Sequence, residues 1–268
     1  MWLSSFTRHA GTRRRMTPAT TVVLALAAAA IGQSSDTPST AAERLCKGYE
    51  TISSITCSIR KTTSGPEGRI TLLSRVFYEK PDRVHIENVA PQKRRIIADG
   101  SKLYYHEDGR KKGYAESIPR LSDTFRNALR NQPATPLEHL RKLRSLTEDE
   151  LDGNDRFATR KGYQADKLYI VLSLDREGRL GRITFYESAK MQKRTAQYEY
   201  DRFEQVSDDC WIPCLHRGTL YLPGDRTVTE TRRVDELSVN TPVAKGLFDP
   251  GTFFEGVEFV DDLMKTYE

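Results

Sequence analysis

The sequence predicts a mainly β fold with some α-helix, an α+β class in which one curled antiparallel sheet forms an open, incomplete β-barrel. Three observations predict it. Short apolar runs alternate with polar residues along most of the chain. Their connections are too short for parallel crossovers, so roughly ten strands form a meander. Helical spacing is confined to two stretches, and helices of the same chain can close so long a sheet around an apolar cavity.

The composition is that of a globular protein. Of the 268 residues, 37% are hydrophobic and 29% are charged, which excludes collagenous, disordered and multi-span membrane classes. The net charge of +5 comes mostly from Arg8, Arg13, Arg14 and Arg15. Taking these 4 from 42 basic residues leaves 38 against 37 acidic ones. The remainder has no basic excess, so we expect no nucleic acid partner.

Residues 1–32 have the pattern of a signal peptide. A basic stretch ends at Arg15, an apolar run follows at 21–31, and small residues lead to Gly32, where we expect cleavage. The apolar run is shorter than the ~20 residues that span a bilayer, which disfavours a membrane anchor. The protein is therefore expected to be secreted into a bacterial periplasm.

A single domain is expected over residues 42–268, after a flexible lead-in of polar, turn-forming residues at 33–41. The domain opens with a predicted helix over 42–55, because apolar residues recur there at helical spacing and no proline interrupts them. Thr40 is a candidate N-cap for this helix.

Alternating residues then predict strands, and glycine or proline pairs mark the turns between them. Asp99-Gly100 is typical of a two-residue hairpin turn. The other turns of the first half are expected at Gly65-Pro66, Lys80-Pro81 and Ala90-Pro91. Strands of the second half are expected over 169–174, 183–186, 196–203, 211–222 and 228–237.

Helical spacing returns between these two sets of strands, over residues 118–151. Leu121, Phe125 and Leu129 are four residues apart, Pro133 and Pro136 follow, and further leucines recur from Leu137 on. Since proline ends a helix, the pattern predicts two short amphipathic helices separated by a turn.

Residues 74–105 resemble the core of the LolA family of periplasmic lipoprotein carriers. The shared pattern is a strand ending in a basic residue and proline, a strand ending in a second proline, a strand ending in Asp-Gly, and a strand with paired aromatics. Here these elements are Lys80-Pro81, Ala90-Pro91, Asp99-Gly100 and Tyr104-Tyr105. A weaker resemblance continues at 175–185 and 247–251. The resemblance implies a LolA-like open barrel closed by helices.

The resemblance also implies a function in outer-membrane lipoprotein sorting and outer-membrane biogenesis. An apolar interior would shelter the acyl chains of lipoproteins or other lipids during transport, since each buried methylene stabilises by ~0.8 kcal/mol. The implied partners are acylated lipoproteins, an inner-membrane release complex and an outer-membrane acceptor, with transient membrane-surface contact by a monomer. Carriers of the family have an arginine before the first proline that helps to hold the lid. Lys80 stands there in this chain and lacks the forked donor geometry of arginine.

Inward-facing apolar positions are the candidate lipid-binding residues. They are Phe77, Val84, Ile86, Ile96, Leu103, Tyr105, Leu121, Phe125, Leu129, Leu140 and Leu143. The basic run Lys93-Arg94-Arg95 could face anionic lipid head groups or an acidic partner, although a solvated surface is favoured. Two alternative functions stay open: a regulatory, RseB-like module that senses lipoproteins, and a structural envelope protein whose interior is filled by its own side chains.

No catalytic motif is recognised. The histidines are scattered singly, and neither a glycine-rich phosphate loop nor a nucleophile elbow is present, so we expect no enzyme, no cofactor and no metal. Four cysteines in an oxidising compartment predict structural disulfides. Cys210 and Cys214 would lie about 13 Å apart in an extended strand, which favours pairing with Cys46 and Cys57. Three connectivities stay open.

Overall fold

The computed structural model describes residues 39–123, 126, 129 and 132–267. The predicted signal peptide at 1–32 and the candidate Phe125 lie outside the described residues. Helix α1 spans Ala41–Glu50, and the Thr40 hydroxyl caps it by accepting a hydrogen bond from the Glu43 amide at 3.1 Å. The helix is shorter than predicted, because the β-branched residues that follow continue into a strand from Ser54 on.

The described residues form fourteen strands, more than the roughly ten that periodicity predicts. They are β1 (Ser54–Gly65), β2 (Gly68–Glu79), β3 (Arg83–Ala90), β4 (Arg94–Asp99), β5 (Lys102–Glu107), β6 (Lys112–Ser117), β7 (Glu148–Leu151), β8 (Thr159–Ala165), β9 (Leu168–Leu174), β10 (Leu180–Tyr186), β11 (Arg194–Ser207), β12 (Cys210–Leu222), β13 (Arg226–Val239) and β14 (Glu258–Val260). The strands missed by the prediction include β6, β7 and β14, which are short and mostly polar or lie at an edge of the sheet.

All fourteen strands belong to one sheet, in the order β14-β6-β5-β4-β3-β2-β1-β13-β12-β11-β10-β9-β8-β7. Two antiparallel meanders, β1–β6 and β7–β13, therefore meet where β1 pairs with β13. The terminal strands β14 and β7 do not pair with each other, so the curled sheet stays unclosed, as predicted. One pairing departs from the expected antiparallel meander. Strand β14 is parallel to β6, because the long connection after β13 lets the chain return in the same direction.

A helical link joins the two meanders. The chain is helical at Asp123, Arg126 and Leu129, and helix α2 spans Leu137–Leu143. Pro136 immediately precedes α2, which agrees with the predicted helix boundary.

Different segments cover the two faces of the sheet. We call the face against which α1 and α2 pack the helical face. On this face the Ala42 amide of α1 donates to the Tyr163 hydroxyl at 3.3 Å, and the ring of His139 in α2 lies 4.6 Å from that of Tyr198. We call the opposite face, against which Phe253 and Phe259 of the segment after β13 pack, the C-terminal face.

The C-terminal face holds an aromatic cluster that includes Phe77. The centroid of its ring lies 5.5 Å from that of His85, which in turn lies 4.7 Å from Phe253 of the C-terminal segment. Tyr104 packs at 5.2 Å from Phe259 on the same face. Phe77 was therefore wrongly predicted to line the interior. It is one residue out of phase with its inward neighbours, and successive side chains of a strand point to opposite faces.

Candidate functional site

The helical face of β2–β5 carries its side chains in three rows, because directly paired residues of neighbouring strands share a face. Row one consists of Tyr78, Val84, Ala98 and Leu103, row two of Val76, Ile86, Ile96 and Tyr105, and row three of Ser74, Asn88, Arg94 and Glu107. Two apolar rows are thus followed by one polar row. This arrangement suits an amphiphile, which has an apolar chain and a polar end.

Exposure changes between the rows. Every side chain of row one is buried, whereas Ile86 and Tyr105 of row two are half-buried. Most of row three is buried again, so Ile86 and Tyr105 mark a partly open stretch of the helical face that is bordered by buried residues. Of the predicted lipid-binding residues on these strands, Val84, Ile86, Ile96, Leu103 and Tyr105 do share one face, and only the two half-buried ones retain an accessible apolar surface.

Lys80, the predicted lid-control residue, lies at the end of α1. Its Nζ donates a hydrogen bond to the carbonyl oxygen of Glu50 at 2.9 Å, and its backbone amide donates to the carbonyl oxygen of Ser53 at 2.8 Å. A cation is favourable at a helix C-terminus, where the backbone carbonyls lack intrahelical partners. Lys80 thus connects the sheet to the helical cover.

The link between the meanders is part of the same cover. Gln132 donates from Nε2 to the carbonyl oxygens of Tyr49 at 2.8 Å and Ile52 at 3.2 Å, and Arg144 pairs with Glu50 at 3.2 Å. The predicted lipid-binding leucines of this link are all buried: Leu121, Leu129, Leu140 and Leu143. These contacts therefore attach the link to the C-terminal end of α1.

Helix α2 lies over the second meander. The ring of His139 packs against Phe185 at 5.8 Å and Tyr198 at 4.6 Å. Burial lowers the pKa of His139 to about 4, so the imidazole is neutral at pH 7. Phe185, Tyr198 and Leu220 are half-buried on this face. The prediction missed these residues, although the alternation of β10 to β12 contained the signal for them.

An ion cluster, formed by Lys61, Glu230 and Arg232, lies on the helical face at the seam between β1 and β13. Glu230 pairs with Lys61 at 2.9 Å and with Arg232 at 3.2 Å, and the two cationic residues are directly opposite in the register. Sequence reasoning missed this cluster. The sequence contains one signal for it: Lys61 lies two residues after Ile59, so both side chains point to the same face of β1.

All four cysteines are free thiols, so the structure does not contain the predicted disulfides. The expected approach of the first helix to Cys210 is present, since Tyr49 of α1 donates from its hydroxyl to the carbonyl oxygen of Trp211 at 2.8 Å. Burial raises the pKa to about 11 at Cys46 and Cys210 and to about 12 at Cys57. These three are therefore protonated at neutral pH, a form that reacts poorly.

Among residues 39–123, 126, 129 and 132–267, no group of three or more His, Cys, Asp or Glu side chains lies close enough together to hold a metal ion. No described helix is long and apolar enough to cross a membrane.

Comparison with known proteins finds similarity in structure only. No protein-family model and no curated protein matches the sequence. A domain assigned to outer membrane lipoprotein sorting, from Vibrio parahaemolyticus, superposes with a TM-score of 0.50 at 12% identity, over 78% of this chain and 97% of that one. A DUF1329 family protein from Desulfovibrio piger gives a TM-score of 0.50 at 11% identity, over 79% of this chain and 96% of that one.

A LolA superfamily protein from Nitrosomonas europaea gives a lower TM-score of 0.47 at 10% identity, over 78% of this chain and 96% of that one. At such identities, the likeness to the solved structures concerns the fold alone. The fold is LolA-like, and the resemblance seen in residues 74–105 is confirmed at that level.

Proposed function

We propose that this protein is a non-enzymatic periplasmic carrier that binds acyl chains of lipoproteins or lipids on its helical face. It would receive them from an inner-membrane release complex and pass them to an outer-membrane acceptor, contacting membrane surfaces transiently. One observation carries the proposal. The apolar rows of the helical face continue from the buried row one to half-buried apolar side chains in row two, such as Ile86.

The dimensions of the cover support an extended binding surface. Strands spaced by about 4.8 Å make a fourteen-stranded sheet about 60 Å wide. Helix α1, with 10 residues, is about 15 Å long, α2 is shorter, and the link adds its buried leucines to the cover. Half-buried apolar side chains remain on both meanders, among them Tyr105 and Leu220.

The energetics favour reversible shielding. Burying about ten methylenes on this surface would contribute on the order of 8 kcal/mol, from which the cost of association is subtracted. The polar contacts that hold the cover include the hydrogen bond from Lys80 to Glu50 and the ion pair between Arg144 and Glu50. Exposed ion pairs contribute only about 0 to 1 kcal/mol. The cover also buries Leu121, Leu129, Leu140 and Leu143, and each buried leucine stabilises by about 1.5 to 3 kcal/mol. We therefore expect an acyl chain to bind beside the cover rather than to displace it.

The first test is native mass spectrometry, with lipid extraction, of the protein purified without detergent. Bound acyl species at a defined stoichiometry would support the carrier function. A mass without ligand, together with no binding of added fatty-acyl probes, would contradict it and favour a structural protein with a filled interior.

The second test compares Ile86→Glu with the matched control Val89→Glu. Both residues are in β3, but Val89 is exposed and out of phase with the helical face. We expect Ile86→Glu to weaken binding of a fluorescent fatty acid at least tenfold and Val89→Glu to leave it unchanged. Thermal unfolding of both variants checks that they are folded. Equal affinities of the two variants would contradict binding at row two.

A further inference from the structure

Row three of the helical face contains buried hydrogen-bond donors without acceptors. Asn88 is 1% exposed, and its Oδ1 accepts a hydrogen bond from the Ser74 hydroxyl at 2.7 Å. Its Nδ2 is buried and has no partner, and neither has the buried Nε of Arg94. A buried donor without an acceptor is costly, so an acceptor supplied by a ligand would be strongly favoured.

The register brings these two donors together. Asn88 in β3 and Arg94 in β4 are directly paired, and such residues have Cβ atoms about 5 Å apart on the same face. Within the part of the chain that the structure describes, the Arg94 guanidinium forms no hydrogen bond or ion pair. Arg94 is therefore a half-buried cation beside an unpaired amide donor.

The nearest candidate counter-charge has other partners. Glu107 lies opposite Arg94 in the register, but its carboxylate accepts hydrogen bonds from Gln92 and from the Tyr105 hydroxyl, the latter at 3.2 Å. Arg110 Nε lies 3.9 Å from the same carboxylate. Because Glu107 carries one negative charge nearby, a singly charged ligand fits this place better than a doubly charged one.

We propose that Arg94 and Asn88 form an oxyanion site for the head of an acyl chain lying along row two. The ligand chemistry is a singly charged carboxylate or phosphodiester, whose oxygens accept hydrogen bonds from Arg94 and from Asn88 Nδ2. The apolar neighbours of these residues along their own strands are Ile86 and Ile96, two positions away. The site rests on the proposed function and adds to it a preference for anionic over neutral amphiphiles.

The test is isothermal titration of the folded protein with dodecanoate, dodecanol and dihexanoyl phosphatidylglycerol. Hydrogen bonds to charged groups typically change affinity by roughly ten- to hundredfold. We expect the native protein to bind dodecanoate tighter than dodecanol by that factor. Arg94→Met should remove this preference and leave dodecanol binding unchanged. The matched control Lys93→Met removes the same charge from an exposed neighbour and should keep the preference.

The outcomes separate this site from the function on which it rests. A preference for dodecanoate that survives Arg94→Met, or an equal loss for dodecanoate and dodecanol, would overturn the oxyanion site while acyl binding stands. Failure of the native protein to bind any of the three would overturn both. Arg94-dependent binding of phosphatidylglycerol would assign the head group to phosphodiesters, and its absence beside dodecanoate binding would assign it to carboxylates. Acetate binding as tight as dodecanoate binding would indicate an adventitious ion only.

Discussion

Glu230→Gln is expected to destabilise the seam between the two meanders. Glu230 is the shared partner of Lys61 at 2.9 Å and Arg232 at 3.2 Å, and the exposed fractions of the three side chains are 26%, 16% and 22% in that order. The substitution leaves two cations facing each other across β1 and β13. Like charges directly opposite in a sheet are destabilising.

The magnitude follows from Coulomb's law. Two charges about 6 Å apart at an effective dielectric constant of about 20 repel by about 3 kcal/mol. Lost attraction adds to this value, while the flexibility and partial exposure of the side chains reduce it. We expect the free energy of unfolding to fall by about 2 to 4 kcal/mol, which lowers Tm by about 5 to 15 °C for a domain of this size.

The assay is urea unfolding at about 0.05 M and about 0.5 M NaCl, since salt screens the repulsion. Glu67→Gln, an equal change of charge at an exposed turn, is the control and should have no effect. Adding Lys61→Met to Glu230→Gln removes one of the two opposed charges and should recover about half of the lost stability. A loss below about 1 kcal/mol, or a double variant no more stable than Glu230→Gln alone, would refute the reasoning.

Two further predictions concern stability. A Cβ added at Gly162 would overlap the Tyr169 hydroxyl oxygen, so Gly162→Ala should lower the urea midpoint; a midpoint equal to that of the native protein would contradict this contact. Burial lowers the pKa to about 4 at His85 and His139 and to about 3 at His216, below the ~6.5 expected in the unfolded chain. The unfolded state therefore binds more protons between these values, and stability should fall as pH drops from about 6.5 to about 4.5. An unchanged urea midpoint over that range would contradict the burial of neutral histidines.

Much of the helical face was predictable from local pattern. Alternation places Val84 and Ile86 in phase on β3, and the same rule puts Ile96 and Tyr105 on the matching face of their strands. Alternation alone cannot say which phase is inward, and this is how Phe77 was assigned to the wrong face. Side chains on both faces of these strands are covered, because aromatic residues of the C-terminal segment pack on the C-terminal face. Apolar residues therefore occur in both phases, and the sequence alone does not show which phase faces the helices.

The polar features of the site could not be predicted in the same way. The run Lys93-Arg94-Arg95 consists of three cationic residues that the sequence does not distinguish. In the structure Arg94 lies on the helical face, whereas the guanidinium of Arg95 lies 4.6 Å from the ring centroid of Phe253 on the C-terminal face. The disulfide prediction failed for a related reason. Spacing along the chain shows which cysteines cannot pair, but only packing decides whether two thiols meet.

The sequence by itself determined the α+β class, the helix after Thr40, the proline-marked turns and the fact that Val84 and Ile86 share one face of their strand. These follow from local backbone preferences and from a two-residue period that each strand contains in full. Only the tertiary structure decided that β1 pairs with β13, that Ile86 and Tyr105 stay half-buried among buried neighbours, and that Arg94 faces Asn88 with its buried Nε unpaired. The physical reason is that register joins residues distant in sequence, and burial depends on every segment that covers them.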